Sequence, residues 1–152
     1  MNTEKSYAVP KLHSGTVIDH LRARTALRCL QVLRLPETTR VTVGINLESG
    51  RLGRKDIIKI SDYELRGDQA AKLALISPDA TLSIIRDYKL HGKHDLTPPL
   101  RFRGLLRCIN PACITRSEPV RGSFIVLSNE PVIVRCEYCE RSIDAADFIW
   151  AK

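Results

Sequence analysis

The sequence predicts an α+β chain of two unlike parts, and three observations carry that reading. Up to about residue 93 the apolar residues alternate between a helical and a strand period. A polar, proline-bearing stretch, His91-Gly92-Lys93-His94-Asp95-Leu96-Thr97-Pro98-Pro99, then breaks the periodicity in the manner of a linker. Beyond it, short apolar runs are interleaved with two cysteine clips. These divide the chain into an N-terminal domain over residues 1–95 and a small all-β domain over residues 101–152.

Each element has its own signal. Tyr7-Ala8-Val9-Pro10-Lys11-Leu12 reads as an edge strand, because Pro10 lacks the N–H that an interior strand needs. Ala26, Cys29, Leu30 and Leu33 recur at helical spacing within a helix from about Ala23 to Leu35, ended by Pro36. That places Cys29 on the buried face as a small hydrophobe. Val41, Val43, Ile45 and Leu47 alternate as a half-buried strand. The turn Glu48-Ser49-Gly50-Arg51-Leu52-Gly53 leads into the returning strand Asp56-Ile57-Ile58-Lys59-Ile60. Asp68 is positioned to cap a second helix, Gln69 to Ile76, which stops before Pro78. Leu82, Ile84, Tyr88 and Leu90 close the domain at a two-residue period. The order is β-α-β-β-α-β, the ferredoxin-like arrangement with both helices on one sheet face.

In the C-terminal domain Leu105-Leu106, Phe124-Ile125-Val126-Leu127 and Val132-Ile133-Val134 read as short strands. About fifty residues cannot build a large core, so this part requires a metal to fold. Cys108 and Cys113 enclose Ile109 to Ala112, with Asn110-Pro111 as turn initiator; Cys136 and Cys139 enclose Glu137 and Tyr138. Two such clips, each delivering two thiolates from one tight turn, are a tetrahedral zinc signature. Four sulfurs leave no position for water, which makes the site structural rather than catalytic. Two disulfides or an iron site are the alternatives.

Composition bounds the function. Met1-Asn2-Thr3-Glu4-Lys5 lacks the apolar core of a signal peptide, and no stretch approaches the roughly 18 apolar residues of a membrane span. A cytoplasmic chain without a membrane partner is expected. The net charge of +7 suits an anionic partner, while 5% aromatic residues leave few platforms for stacking single-stranded nucleic acid. There is no nucleophile elbow, P-loop, dinucleotide fingerprint or His-Glu-x-x-His, and no enzyme site is visible. Asp19, His20, Lys59, Tyr88 and Lys93 would supply cations, polar groups and an aromatic wall for a nucleotide if their strand ends converge.

Three segments in register, Gly15-Thr16-Val17-Ile18-Asp19-His20, Gly53-Arg54-Lys55-Asp56-Ile57-Ile58-Lys59-Ile60 and Cys136-Glu137-Tyr138-Cys139-Glu140, closely resemble the regulatory chain of aspartate carbamoyltransferase. The resemblance runs almost end to end. It implies a non-catalytic regulator of pyrimidine biosynthesis, with an N-terminal domain that binds CTP, UTP or ATP and a zinc domain that docks on the catalytic chain. It also implies regulatory dimers, three of which join two catalytic trimers in a dodecamer. Carried over residue by residue, Val9 and Leu12 line the base, and Asp19 and His20 form the pocket pair with His20 near the phosphates. Lys59 contacts ribose and base, Lys93 the phosphates, and Ile85, Tyr88 and Leu90 supply wall and backbone contacts. Pro10 stands where relatives carry an acidic residue and Ser83 where some carry asparagine, and both adjoin the nucleotide. A divalent ion such as Mg is compatible with the triphosphate's dense charge. Asn110, Glu140 and Arg141 beside the clips are candidates to meet the catalytic chain.

The rival reading is a zinc-ribbon protein that binds nucleic acid. Arg101, Arg103, Arg107, Arg116 and Arg121 around the first clip favour it; the scarcity of aromatics and of a long basic run does not.

Overall fold

A computed structural model describes residues 10–152. The first sheet begins with β1 (Gly15–Arg22), followed by helix α1 (Ala26–Leu33), the hairpin β2 (Val41–Ser49) and β3 (Gly53–Ser61), and helix α2 (Gly67–Ile76). A second hairpin, β4 (Thr81–Arg86) and β5 (Lys89–Asp95), completes it. The spatial order is β2-β3-β1-β4-β5, with every neighbouring pair antiparallel. Its first four strands are ordered as in a ferredoxin-like sheet, and β5 is an addition at the edge.

One face carries the helices. Ile18, Leu21, Ile58, Ile60 and Leu82 point into a core with Ala26, Cys29, Val32 and Leu33 of α1 and Leu73, Ala74 and Ile76 of α2. Cys29 is fully buried there, and burial pushes its thiol up to about 12. The buried carboxylate of Asp56 ties strand to helix: it accepts from the N–H of Ala26, at the start of α1, at 3.0 Å and from that of Asn46 at 2.9 Å. A carboxylate at a helix N-terminus is favourable because the first amide donors there lack partners.

The C-terminal part begins with β6 (Arg101–Arg103) and β7 (Leu106–Arg107), then the single turn α3 (Ile114–Ser117). The strands β8 (Ser123–Asn129), β9 (Val132–Cys136) and β10 (Ser142–Asp144) follow, and β11 (Ile149–Trp150) ends the fold. The strands β10-β9-β8-β6 form one sheet and β11-β7 a two-stranded ribbon. Phe102, Leu106, Phe124, Val132, Val134 and Ile143 make a second core around the cysteines. Leu75 of α2 belongs to this second core, and Trp150 packs on both. Arg22 donates to the carbonyl of Asn129 at 3.2 Å and Arg28 to that of Ala145 at 3.0 Å, so the two parts are in direct contact.

Three expectations change. Of the edge strand expected over 7–12, residues 7–9 lie outside the described residues, and residues 10–12 form no strand; β1 begins instead at Gly15. Its signal was masked by a bulge. Ile18 pairs with Ile58 and Leu21 with Asp56, so β1 carries one extra residue, and His20 takes a left-handed φ of 56° to absorb it. Leu21 thereby turns inward where strict alternation would send it out. The expected closing strand splits at Asp87-Tyr88, whose φ values of 51° and 63° make a two-residue hairpin turn, and the first half of the expected linker becomes β5. Helix α2 starts before Asp68. The Gln69 side chain accepts from the N–H of Arg66, and Asp68 pairs with the Arg66 guanidinium at 3.2 Å.

Candidate functional site

The four cysteine sulfurs meet because two turns face each other. Cys108 follows β7, and Cys113 precedes α3 after a turn in which its N–H donates to the Asn110 carbonyl. The Asn110 side chain tightens that turn by accepting from the N–H of Ala112 at 3.0 Å. Cys136 ends β9, and the N–H of Glu140 donates to its carbonyl. Glu140 itself has a φ of 63°, which lets the chain fold back to place Cys139. All four Sγ atoms lie within 4.8 Å of one another. Cys108 and Cys139 are 3.6 Å apart and Cys113 and Cys136 3.8 Å, far longer than a disulfide bond. A tetrahedron with metal–sulfur bonds of about 2.3 Å has edges of about 3.8 Å, so the cage already has the dimensions of a tetrathiolate metal centre.

Its electrostatics favour a cation. Burial raises the thiols of Cys108, to about 12, and of Cys136. Burial also opposes ionisation of Cys139, but the Arg141 N–H, Asn110 and two neighbouring thiols outweigh it and bring that group to about 7. Closely packed thiols, two of them raised by burial, are deprotonated together only around a metal. Arg116 donates to the Cys108 carbonyl at 2.7 Å and so braces the first clip from outside.

The second set of expected residues lies on the helix-free face of the first sheet. Residues paired across antiparallel strands share a face. Thr42 pairs with Lys59, Lys59 with Val17, Val17 with Ser83 and Ser83 with Lys93. Lys59, Ser83 and Lys93 therefore stand in one row across the whole sheet, all pointing away from the core. Ile85 and Leu90 pair one step along the same face. Asp19 lies beside the row, opposite Thr81, and His20 joins it because of the bulge, with its Nδ1 3.2 Å from the Thr81 hydroxyl.

Asp19 organises the charges on this face. Its Oδ1 accepts from the His20 N–H at 2.6 Å and from Lys55 at 2.8 Å. Burial works against its ionisation, but these two donors prevail and hold its carboxyl below the usual carboxylate range. Partial burial lowers Lys59, with the Asp19 charge acting in opposition. Lys59 also donates to the Pro10 carbonyl.

Leu12, Lys59 and Tyr88 border a cavity of about 380 Å³ at one end of the row, together with Pro10, Arg40 and Asp62. The Tyr88 ring stands edge-on to His13 at 4.9 Å, and its N–H donates to the His13 carbonyl. Asp19, His20, Ser83, Ile85, Leu90 and Lys93 share the face without lining that cavity. Val9 lies outside the described residues. Sequence reasoning missed Lys55, although Lys55, Ile57 and Lys59 follow one another at two-residue spacing, which marks Lys55 as a member of this face. It also missed Arg40, which no local pattern distinguishes from a solvated cation.

Two family models match separate stretches of the chain. A family model described as aspartate carbamoyltransferase regulatory chain, allosteric domain, matches residues 7–97, and one described as the metal binding domain of that chain matches residues 101–149. An aspartate carbamoyltransferase regulatory chain from Methanothermobacter thermautotrophicus is 48% identical over 139 residues, covering 90% of this chain and 89% of the relative. One from Methanocaldococcus jannaschii is 44% identical, covering 92% and 94%. One from Hyperthermus butylicus is 40% identical, covering 97% and 94%.

Proposed function

The chain belongs to the aspartate carbamoyltransferase regulatory chain family, and on that premise we propose how its two sites divide the work of regulation. Residues 1–95 form the allosteric domain and bind a nucleoside triphosphate, CTP, UTP or ATP, on the helix-free sheet face. Residues 101–152 form the metal-binding domain and hold one zinc ion through Cys108, Cys113, Cys136 and Cys139. The chain performs no chemistry of its own. It docks on the catalytic chain, pairs with a second copy, and joins two catalytic trimers through three such dimers in the cytoplasm.

The observation that carries the nucleotide reading is the transverse row of Lys59, Ser83 and Lys93 beside the Asp19–Lys55 pair. Lys93 faces solvent at the β5 end and suits the phosphates, with or without Mg; Lys59 and Ser83 suit ribose and base. Leu12, Ile85, Tyr88 and Leu90 furnish apolar walls. Val9, Asp19 and His20 complete the set of contacts. For the metal, the supporting observation is the sulfur–sulfur spacing. Bound zinc supplies the positive charge that lets four thiolates share a nearly dry cage. Ile114 and Tyr138, 53% and 42% exposed beside the clips, suit a docking surface that the cage holds in shape, with Asn110, Glu140 and Arg141 at its edge.

Regulation is then linkage. A triphosphate alters catalysis only by binding two quaternary states unequally, typically by about 1–3 kcal/mol. The route out of the allosteric domain is α2, whose Leu73 and Ile76 seat on the sheet while Leu75 enters the second core. Calorimetric titration of the metal-loaded chain with CTP, UTP and ATP, with and without magnesium, tests the reading. Saturable binding of at least one triphosphate, lost in Lys59→Ala, is expected; no heat with any of the three refutes it.

A further inference from the structure

Between α2 and the C-terminal strands lies a cleft of about 570 Å³ whose charge the proposed function leaves unused. Arg34, Arg66, Lys72, Arg103, Arg121 and Lys152 line it, and Asp68 is the one side-chain carboxylate among the lining residues. Asp68 is engaged by Arg66 at 3.2 Å. The other five cations have no carboxylate within ion-pair distance among the described residues. Cations gathered around a low-dielectric gap repel one another and focus a positive potential into it. Such a cluster persists most favourably when an anion occupies the gap.

The local backbone holds one of these groups in place. Gly104 has a φ of 78°, and its N–H donates to the Gly122 carbonyl at 2.8 Å. A Cβ at Gly104 would come within 2.1 Å of an Arg121 nitrogen, so the guanidinium lies directly against the bare Cα. Arg121 thus rests in a glycine cradle at the cleft mouth, its planar fork held at the surface of the second core. The neighbouring cavity, about 400 Å³, shares Gly104 and Arg121 with the cleft, which leaves this fork reachable from both.

We propose that this cleft is a second anion site, taking a linear polyphosphate either free or as the tail of a nucleotide. Guanidinium forks match phosphate oxygens two at a time, and three arginines and two lysines are available from both parts of the chain. The cleft opens on the helix side of the first sheet, whereas the row of Lys59, Ser83 and Lys93 is on the opposite face, so one ligand cannot serve both. An anion here bridges α2 to β6 and stabilises the docked arrangement of the two parts, since it binds that arrangement alone.

The test titrates the full, metal-loaded chain with sodium tripolyphosphate at fixed ionic strength. Arg103→Ala/Arg121→Ala is expected to weaken one class of binding at least tenfold. Arg54→Ala/Arg135→Ala, which removes the same charge from exposed positions elsewhere, leaves that class within twofold. Lys93→Ala leaves it unchanged, and Lys72→Ala provides an independent loss from the helix side. Wild-type binding by the Arg103/Arg121 variant, equal losses in both double variants, or complete loss in Lys93→Ala would each overturn the proposal. In the Lys93→Ala chain, displacement of tripolyphosphate by CTP identifies a nucleotide tail as the source; retention identifies free polyphosphate, and either result supports the site.

Discussion

Leu75→Ala loosens the junction between the two parts of this chain while replacing no residue of either site. Leu75 has no exposed surface and sits on α2, yet it packs in the core built around Cys108, Phe124 and Val134. Truncating a fully buried leucine removes its transfer energy and leaves a partly unrelaxed cavity, together about 2–5 kcal/mol. That loss falls on the junction, because the first sheet keeps Leu73 and Ile76. It is of the same order as, or larger than, the roughly 1–3 kcal/mol that an allosteric coupling usually carries. Trp150, the chain's single tryptophan, touches both cores and lies 5.7 Å from Phe148, so its fluorescence reports the junction directly. The assay is urea unfolding of the metal-loaded chain, followed by Trp150 fluorescence and far-ultraviolet circular dichroism. In the wild type the two signals are expected to change together. In Leu75→Ala the fluorescence transition moves to lower urea and parts from the other, while triphosphate affinity stays within twofold. Coincident transitions with a shift below about 1 kcal/mol would refute α2 as the mechanical link.

Lys93→Ala removes one charge-assisted contact of about 1.5–3 kcal/mol, so CTP affinity falls roughly 10- to 150-fold while cytidine affinity holds; equal losses would remove Lys93 from the phosphates. Cys113→Ser, or chelation of the metal, unfolds the C-terminal part and abolishes association with the catalytic chain while triphosphate binding persists. Normal assembly of a metal-free preparation would contradict the structural role of the cage. Asp19 has a depressed carboxyl, so its contribution to stability is fully present above the unfolded-state value of about 3.9 and is lost as pH falls through the folded-state value. Thermal unfolding of wild type and Asp19→Asn should differ by a constant amount above about pH 5 and converge in acid; a gap that widens on acidification would reverse the sign.

The metal cage was the most legible feature of the sequence, because it depends on local spacing. Each clip is one turn, and Asn110-Pro111 signals its own geometry. The helices and the β2–β3 hairpin were legible for the same reason: Cys29, Leu30 and Leu33, or Val41 and Val43, state their period within a few residues. β1 was not. A single left-handed residue, His20, shifts the period midway, and no local pattern in Asp19-His20-Leu21 announces it. The Asp87-Tyr88 turn was hidden for a related reason, since neither residue is a glycine and both hold positive φ only because the paired strands and the His13 carbonyl hold them there.

By itself the sequence determined which residue types meet the demands of metal and phosphate, where the helices and the β2–β3 hairpin lie, and, through family resemblance, what they serve. Tertiary structure alone decided which side chains share a face. Lys59, Ser83 and Lys93 are far apart in the chain, and their common row exists because antiparallel pairing sets β3, β1, β4 and β5 in one register. The entry of Leu75 into the second core and the gathering of cations around Gly104 have the same origin. Both depend on packing between parts that no local period describes, where burial and the close approach of bare glycine backbone determine which groups meet.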